Sequence, residues 1–265
     1  MLEFARFEAR RRAKGTAALV GGVSLLAASF TGLFPSIERA DVDMDAYVEA
    51  FPPALQEAFG IAALDTIEGF LAVELYQFVW LLLLGLYFAY SAAGLIASDV
   101  ERDRMDLTLS LPVSRTRVLA EKFLSVCVPI LALNAVVPLV VYASVVAIGQ
   151  SIDPVDLLVV HLLSIPYLLA CAAIGLVLSV LADRADLAKR AAIVVVFVLF
   201  LVESLAASTE NLEWLGYVSP THYYDPTAIL VEGSYDLTGM GVLLVATLAL
   251  VFASRHRFVR ADVGA

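Results

Sequence analysis

Six stretches of this chain are apolar over lengths that suit a lipid bilayer, and no other feature of the sequence limits its fold as strongly. They cover, roughly, residues 15–34, 74–97, 119–148, 155–182, 191–205 and 237–253. A helix rises about 1.5 Å per residue, so about 20 residues cross the ~30 Å hydrocarbon layer. Inside lipid every backbone N–H and C=O must be satisfied within its own segment, which makes runs of this kind helices. The chain is 61% hydrophobic and 17% charged, against about 45–50% apolar and 25% charged residues in soluble domains. No polar stretch is long enough for a separate soluble domain. The expectation is an all-α integral membrane protein with six transmembrane helices, a single transmembrane domain over residues 1–265.

The basic residues orient these spans. Arg6, Arg10, Arg11, Arg12 and Lys14 precede the first, and Arg102, Arg104, Arg115, Arg117 and Lys122 lie between or just inside the second and third. Arg184, Lys189 and Arg190 join the fourth and fifth, and Arg255, Arg257 and Arg260 follow the sixth. Only Arg39 falls in a loop of the opposite parity. Lys and Arg concentrate in cytoplasmic loops, which puts both termini in the cytoplasm of a multi-pass plasma-membrane protein. The acidic residues gather in the opposite loops, so the net charge of −10 does not describe one surface. Solvation of an exposed face accounts for them as well as cation recruitment does.

Residues 2–14 alternate Leu2, Phe4 and Phe7 with Glu3, Arg6, Glu8 and an Arg run. This pattern predicts an amphipathic N-terminal helix lying in the membrane interface, apart from the first span. The first apolar run is long enough to be that span rather than a cleaved signal. Residues 35–69 form a long acidic loop broken by Pro52 and Pro53, with apolar residues spaced for short surface helices. Residues 211–233 combine Trp214, Tyr217, Tyr223 and Tyr224 with Pro220 and Pro226. That segment cannot be one helix, yet it is too aromatic to float in water, so it packs at the outer interface or partly re-enters.

Between the second and third spans, Asp99, Glu101, Asp103 and Asp106 alternate with Arg102 and Arg104, and Met105, Leu107, Leu109 and Leu111 supply an apolar set. Pro112 ends this short cytoplasmic helix, and Ser114 is placed to cap the next one. A charged helix tied closely to two spans suits force transfer from a soluble partner. The segment Glu101-Arg102 followed by Asp106-Leu-Thr-Leu-Ser-Leu-Pro-Val-Ser-Arg115 resembles the corresponding loop of type 2 ATP-binding-cassette (ABC) permeases. Asp103 and Arg104 stand where Gly and Thr are usual in that family. Ser219-Pro-Thr-His-Tyr-Tyr-Asp-Pro226, with Glu232-Gly233, is similar to the region before the family's sixth span. The resemblance implies an exporter permease that works as a homodimer or heterodimer. It also implies a separate ATPase that binds ATP and Mg, docking on a coupling helix carrying Asp99, Glu101, Arg102, Asp103, Arg104, Asp106, Pro112 and Arg115.

No P-loop, His-Glu-x-x-His or Gly-x-Ser-x-Gly pattern occurs, so the chain is not expected to be an enzyme or to hold a cofactor. His161, His222 and His256 lie in different regions, which argues against a metal site, and no nucleic-acid partner is expected. Cys127 and Cys171 sit in apolar runs, as small hydrophobes do. Polar groups in or near the spans are candidates for a substrate path: Glu74, Gln77, Asn134 and Glu203. Each has a plainer alternative, solvation at a span end or, for Asn134, an interhelical hydrogen bond. A competing reading keeps the topology and drops transport, making the chain a membrane anchor, assembly factor or sensor component.

Overall fold

No proline interrupts the chain between Glu3 and Phe34, and nothing there forces a helix to stop. In the computed structural model, which describes residues 3–39, 64–102, 104, 113–207 and 212–260, the stretch is one continuous helix, α1 (Glu3–Glu38). Its 36 residues measure about 54 Å, well beyond the hydrocarbon thickness. Its apolar part begins at Gly15, after the basic residues. The separate helix expected over residues 2–14 is thereby corrected: from Glu3 on, that stretch is continuous with the first spanning helix. A change from charged to apolar composition does not by itself interrupt i→i+4 bonding. The side chains of Phe4 and Phe7 lie outside the described residues, as do residues 40–63, where short surface helices were expected.

Thr66 opens the second span by accepting the Gly69 N–H at 3.1 Å on its hydroxyl, and α2 (Ile67–Leu71) follows. The chain then runs through 13 residues of π-helix, Ala72–Leu84, into α3 (Gly85–Ala93). The wider i→i+5 turn resets the side chains. Exposed residues Phe78 and Leu83 stand five apart across the wide part, and Tyr87 and Tyr90 follow at four and three. Where i→i+5 bonding returns to i→i+4, one carbonyl is left over. Near that junction Tyr167 donates its hydroxyl to the Leu81 carbonyl at 2.8 Å.

Beyond Gly94 the chain turns into α4 (Ala97–Val100), whose leading N–H groups are satisfied from another helix. Ile96 and Ala97 both donate to the buried Ser179 hydroxyl, at 2.9 and 3.1 Å. Ser114 caps α5 (Arg115–Ala147), as the sequence predicts, by accepting the Arg117 N–H at 3.3 Å. Asp153 caps α6 (Pro154–Leu181), and α7 (Ala185–Ala207) comes next. The aromatic segment before the last helix is broken into α8 (Glu213–Gly216), a 3-10 turn at Pro220–Tyr223 and α9 (Pro226–Glu232). Finally α10 covers Leu237–Arg260.

Among the described residues, five stretches are long and apolar enough to cross a membrane: Arg12–Glu38, Ile67–Val100, Arg115–Ala147, Pro154–Leu181 and Leu237–Arg260. A further long helix, α7, has 23 residues. The apolar window of α6 is 67% buried, against 22% for α1 and α10, so α6 is the central post and the terminal helices are peripheral. Its Gly175 lies against the Ala89 backbone of α3, where a Cβ would strike the Ala89 carbonyl oxygen. The two small-residue seams, Cys171, Gly175 and Ser179 on α6 and Ala89 and Ala93 on α3, are thus buried within one chain. Close helix approach through small residues is the usual basis of packing in lipid, where water does not drive apolar groups together.

Each turn of this aromatic segment has its own stop and start. Ser219 accepts from the Thr221 N–H at 3.2 Å, and Asp225 accepts from Thr227 and Ala228 at 2.8 and 3.0 Å. Gly233 ends α9 in the left-handed conformation, φ 64°, which a residue with a Cβ adopts at a cost. Between these caps Tyr224 turns inward, stacked on Tyr167 with centroids 5.6 Å apart and donating to the Val160 carbonyl at 3.0 Å. Trp214 and Tyr217 point outward at 63% and 61% exposure, suited to an interfacial belt.

Candidate functional site

Among the described residues that follow the second span, Asp99 joins two elements. Asp99, on α4, places one oxygen against the Lys122 ammonium of α5 and the other 2.9 Å from the Arg104 guanidinium. Lys122 is only 3% exposed, eight residues into its helix, and a cation so placed needs a partner. Its neighbour Glu121, also buried, takes the Arg117 guanidinium at 2.6 Å. Asp99 therefore links the loop to the third span at both ends of its carboxylate. Glu101 and Arg102 are exposed beyond it. Asp103, Asp106 and Pro112 lie outside the described residues.

Arg115, read from the sequence as part of the coupling set, faces another way. Its guanidinium donates to the Phe258 carbonyl at 3.4 Å, and nearby Arg255 donates to the Thr116 hydroxyl at 3.1 Å. The start of α5 is therefore tied to the end of α10, where a cation also suits the helix dipole.

The residues proposed for a substrate path are not gathered at one point. Asn134 donates to the Ile130 carbonyl at 2.9 Å, and its own carbonyl lies 2.9 Å from the Ser164 hydroxyl of α6. This is the interhelical hydrogen bond that the sequence left open. Glu203, at the far end of α7, accepts from the His222 ring at 2.9 Å and packs over Gly216. Glu74 and Gln77 lie in the π segment, Glu74 partly exposed and Gln77 buried.

Sequence reasoning misses two groups. Lys122 and Lys189 were read only as topological charges, although a Lys followed by Phe-Leu-Ser-Val inside an apolar run is itself a sign of a buried ion pair. The other is an aromatic enclosure around His161, with Tyr76 and Trp80 edge-on at 5.3 and 4.9 Å between centroids. The ring Nδ1 is 2.8 Å from the Leu157 carbonyl, so that nitrogen carries the proton. The Nε2 atom, Tyr76 hydroxyl and Trp80 N–H have no hydrogen-bond partner among the described residues. Among those residues no cluster of His, Cys, Asp and Glu is suited to a metal ion.

Apolar helices crossing a bilayer around a central post, with a charged loop pinned to one of them, define a multi-pass membrane protein. The chain belongs to the ABC-2 family of transporter proteins, whose sequence profile matches residues 8–263. It is thus a membrane-embedded permease component rather than an ATPase. No curated protein matches it.

Proposed function

We propose that the chain is the permease subunit of an ATP-driven ABC exporter, energised by a separate ATPase polypeptide that binds ATP and Mg. The observation that carries this reading is the Asp99 clamp. Through Lys122 and Arg104 it joins the exposed Glu101-Arg102 pair to the third span, so a push on the loop would reach α5 with little slack. In this reading α7 is the sixth span, the whole chain is one transmembrane domain, and both termini are cytoplasmic. The basic start of α1 lies at headgroup level, and two permeases, alike or different, pair in the plasma membrane. Asn134, Gln77, Glu74 and Glu203 are the polar groups a substrate would meet along the spans.

The test is copurification from native membranes followed by ATP hydrolysis in proteoliposomes. An ATPase should accompany the unaltered chain, and combined charge reversal at Glu101, Asp103 and Arg104 should release it while the variant still inserts. One exposed ion pair contributes only about 0.2–1 kcal/mol, so a combined change is the fair probe. Repeated purification without any ATPase would overturn the reading.

A further inference from the structure

A cleft of about 360 Å³ opens beside the Asp99 clamp, and among the described residues its lining includes the cations Arg12, Arg102, Arg104, Lys122 and Lys189 together with Asp99. We infer that it binds the phosphate headgroup of an anionic phospholipid.

The depth of the cleft points to lipid. Arg12 lies just before the apolar run that begins at Gly15, Arg102 and Arg104 follow the end of the second span at Val100, and Lys189 lies near the start of α7. The lining therefore converges at the level where acyl chains give way to headgroups. A basic recess between transmembrane helices has the chemistry that recognises lipid phosphates, through charge-assisted N–H···O bonds.

The walls are already ordered. Arg12 donates to the Ser91 hydroxyl at 3.1 Å, and the Lys189 ammonium stands 5.3 Å from the centre of the Tyr90 ring. The Lys189 stem crosses Gly94, where a Cβ would lie 2.8 Å from its Cε. Glycine at that position thus lets the ammonium reach the cleft. Asp99 meets Lys122 and Arg104, and Arg102 and Lys189 line the cleft beside them. Bilayer thickness places the cleft at the interface whichever way the chain is oriented, so the inference rests on membrane insertion and not on transport.

The experiment is native mass spectrometry of the full chain from micelles holding equal amounts of phosphatidylglycerol and phosphatidylcholine. The unaltered chain should retain phosphatidylglycerol selectively. Lys189→Gln with Arg102→Gln should weaken that retention roughly 30-fold, at the usual contribution of each basic residue near an anionic surface. Arg184→Gln with Arg190→Gln removes the same charge outside the cleft and should leave it unchanged. Thermal unfolding of both double variants in the same micelles checks that they are folded. Equal retention of the two lipids, or equal loss in both double variants, would overturn the site. Displacement of the lipid by millimolar inorganic phosphate would assign the cleft to free phosphate instead.

Discussion

The Lys122 ammonium, almost closed off from solvent within the third span, is met by the Asp99 carboxylate 23 residues earlier in the chain. Replacing Asp99 by Asn leaves that cation buried with its charge partner gone. Losses of about 3–5 kcal/mol are typical when one member of a buried pair is removed. Thermal unfolding in detergent should show a lower midpoint for Asp99→Asn, and Asp99→Asn with Lys122→Met should recover most of it. A double variant no more stable than the single one would mean that the pair does not hold the loop.

At Gly175 the expected effect is steric. A methyl group there would meet the Ala89 carbonyl, part of a backbone that cannot swing aside, whereas Gly22 has nothing within 4 Å of a Cβ. Gly175→Ala should cost about 1–3 kcal/mol through overpacking, and Gly22→Ala should leave the melting curve in place. Equal behaviour of the two variants would contradict the α3–α6 contact.

Alkaline pH should act at Tyr235, in the turn before α10. Its hydroxyl donates to Asp156, and this hydrogen bond, followed by slight desolvation and the charges of Asp156 and Asp153, raises its pKa above the ordinary 10.0. The folded state thus favours the protonated phenol. The contribution is complete below the unfolded pKa and is lost as pH rises through the raised folded value. Ultraviolet difference titrations of the unaltered chain and of Tyr235→Phe should differ by one phenol that ionises above the ordinary range. An unchanged titration in the variant would place the late phenol elsewhere.

Cysteines introduced at exposed positions can decide the orientation. Ser151 and Ser234 variants should react with an impermeant thiol reagent in intact cells, while Arg184 and Arg257 variants should react only after permeabilisation. All four positions are exposed in the fold, so protection would come from the membrane. The reverse pattern would place both termini outside.

Much of the scaffold was legible because lipid allows few solutions: long apolar runs, a serine before α5 and small residues every fourth position on α6. The π segment was not. Almost every residue from Ala72 to Leu84 is apolar, so no polar rhythm reveals whether the turn holds four residues or five. The continuity of α1 was missed because a change in composition was taken for a break. The pairs Asp99 with Lys122 and Glu203 with His222 join separate elements, and no local spacing encodes which carboxylate meets which cation. Arg115 carries a charge that suits docking, yet it grips the end of α10, a neighbour that only the folded chain supplies.

The π segment also gives the second span a reserve of chain length. Removing one residue from an ordinary helix rotates everything beyond the cut by about 100°, which would turn Phe88 and Ala89 out of the core. A deletion among Leu81–Leu84 has another outlet, since the wide turns can tighten from i→i+5 to i→i+4 and absorb the missing residue. The inner half, with Ala89 against Gly175 and Ile96 at Ser179, could then keep its seat. Single-residue deletions should therefore be far better tolerated in Leu81–Leu84 than in Gly85–Ala93, making the π segment the place where shorter relatives can lose a residue without changing register.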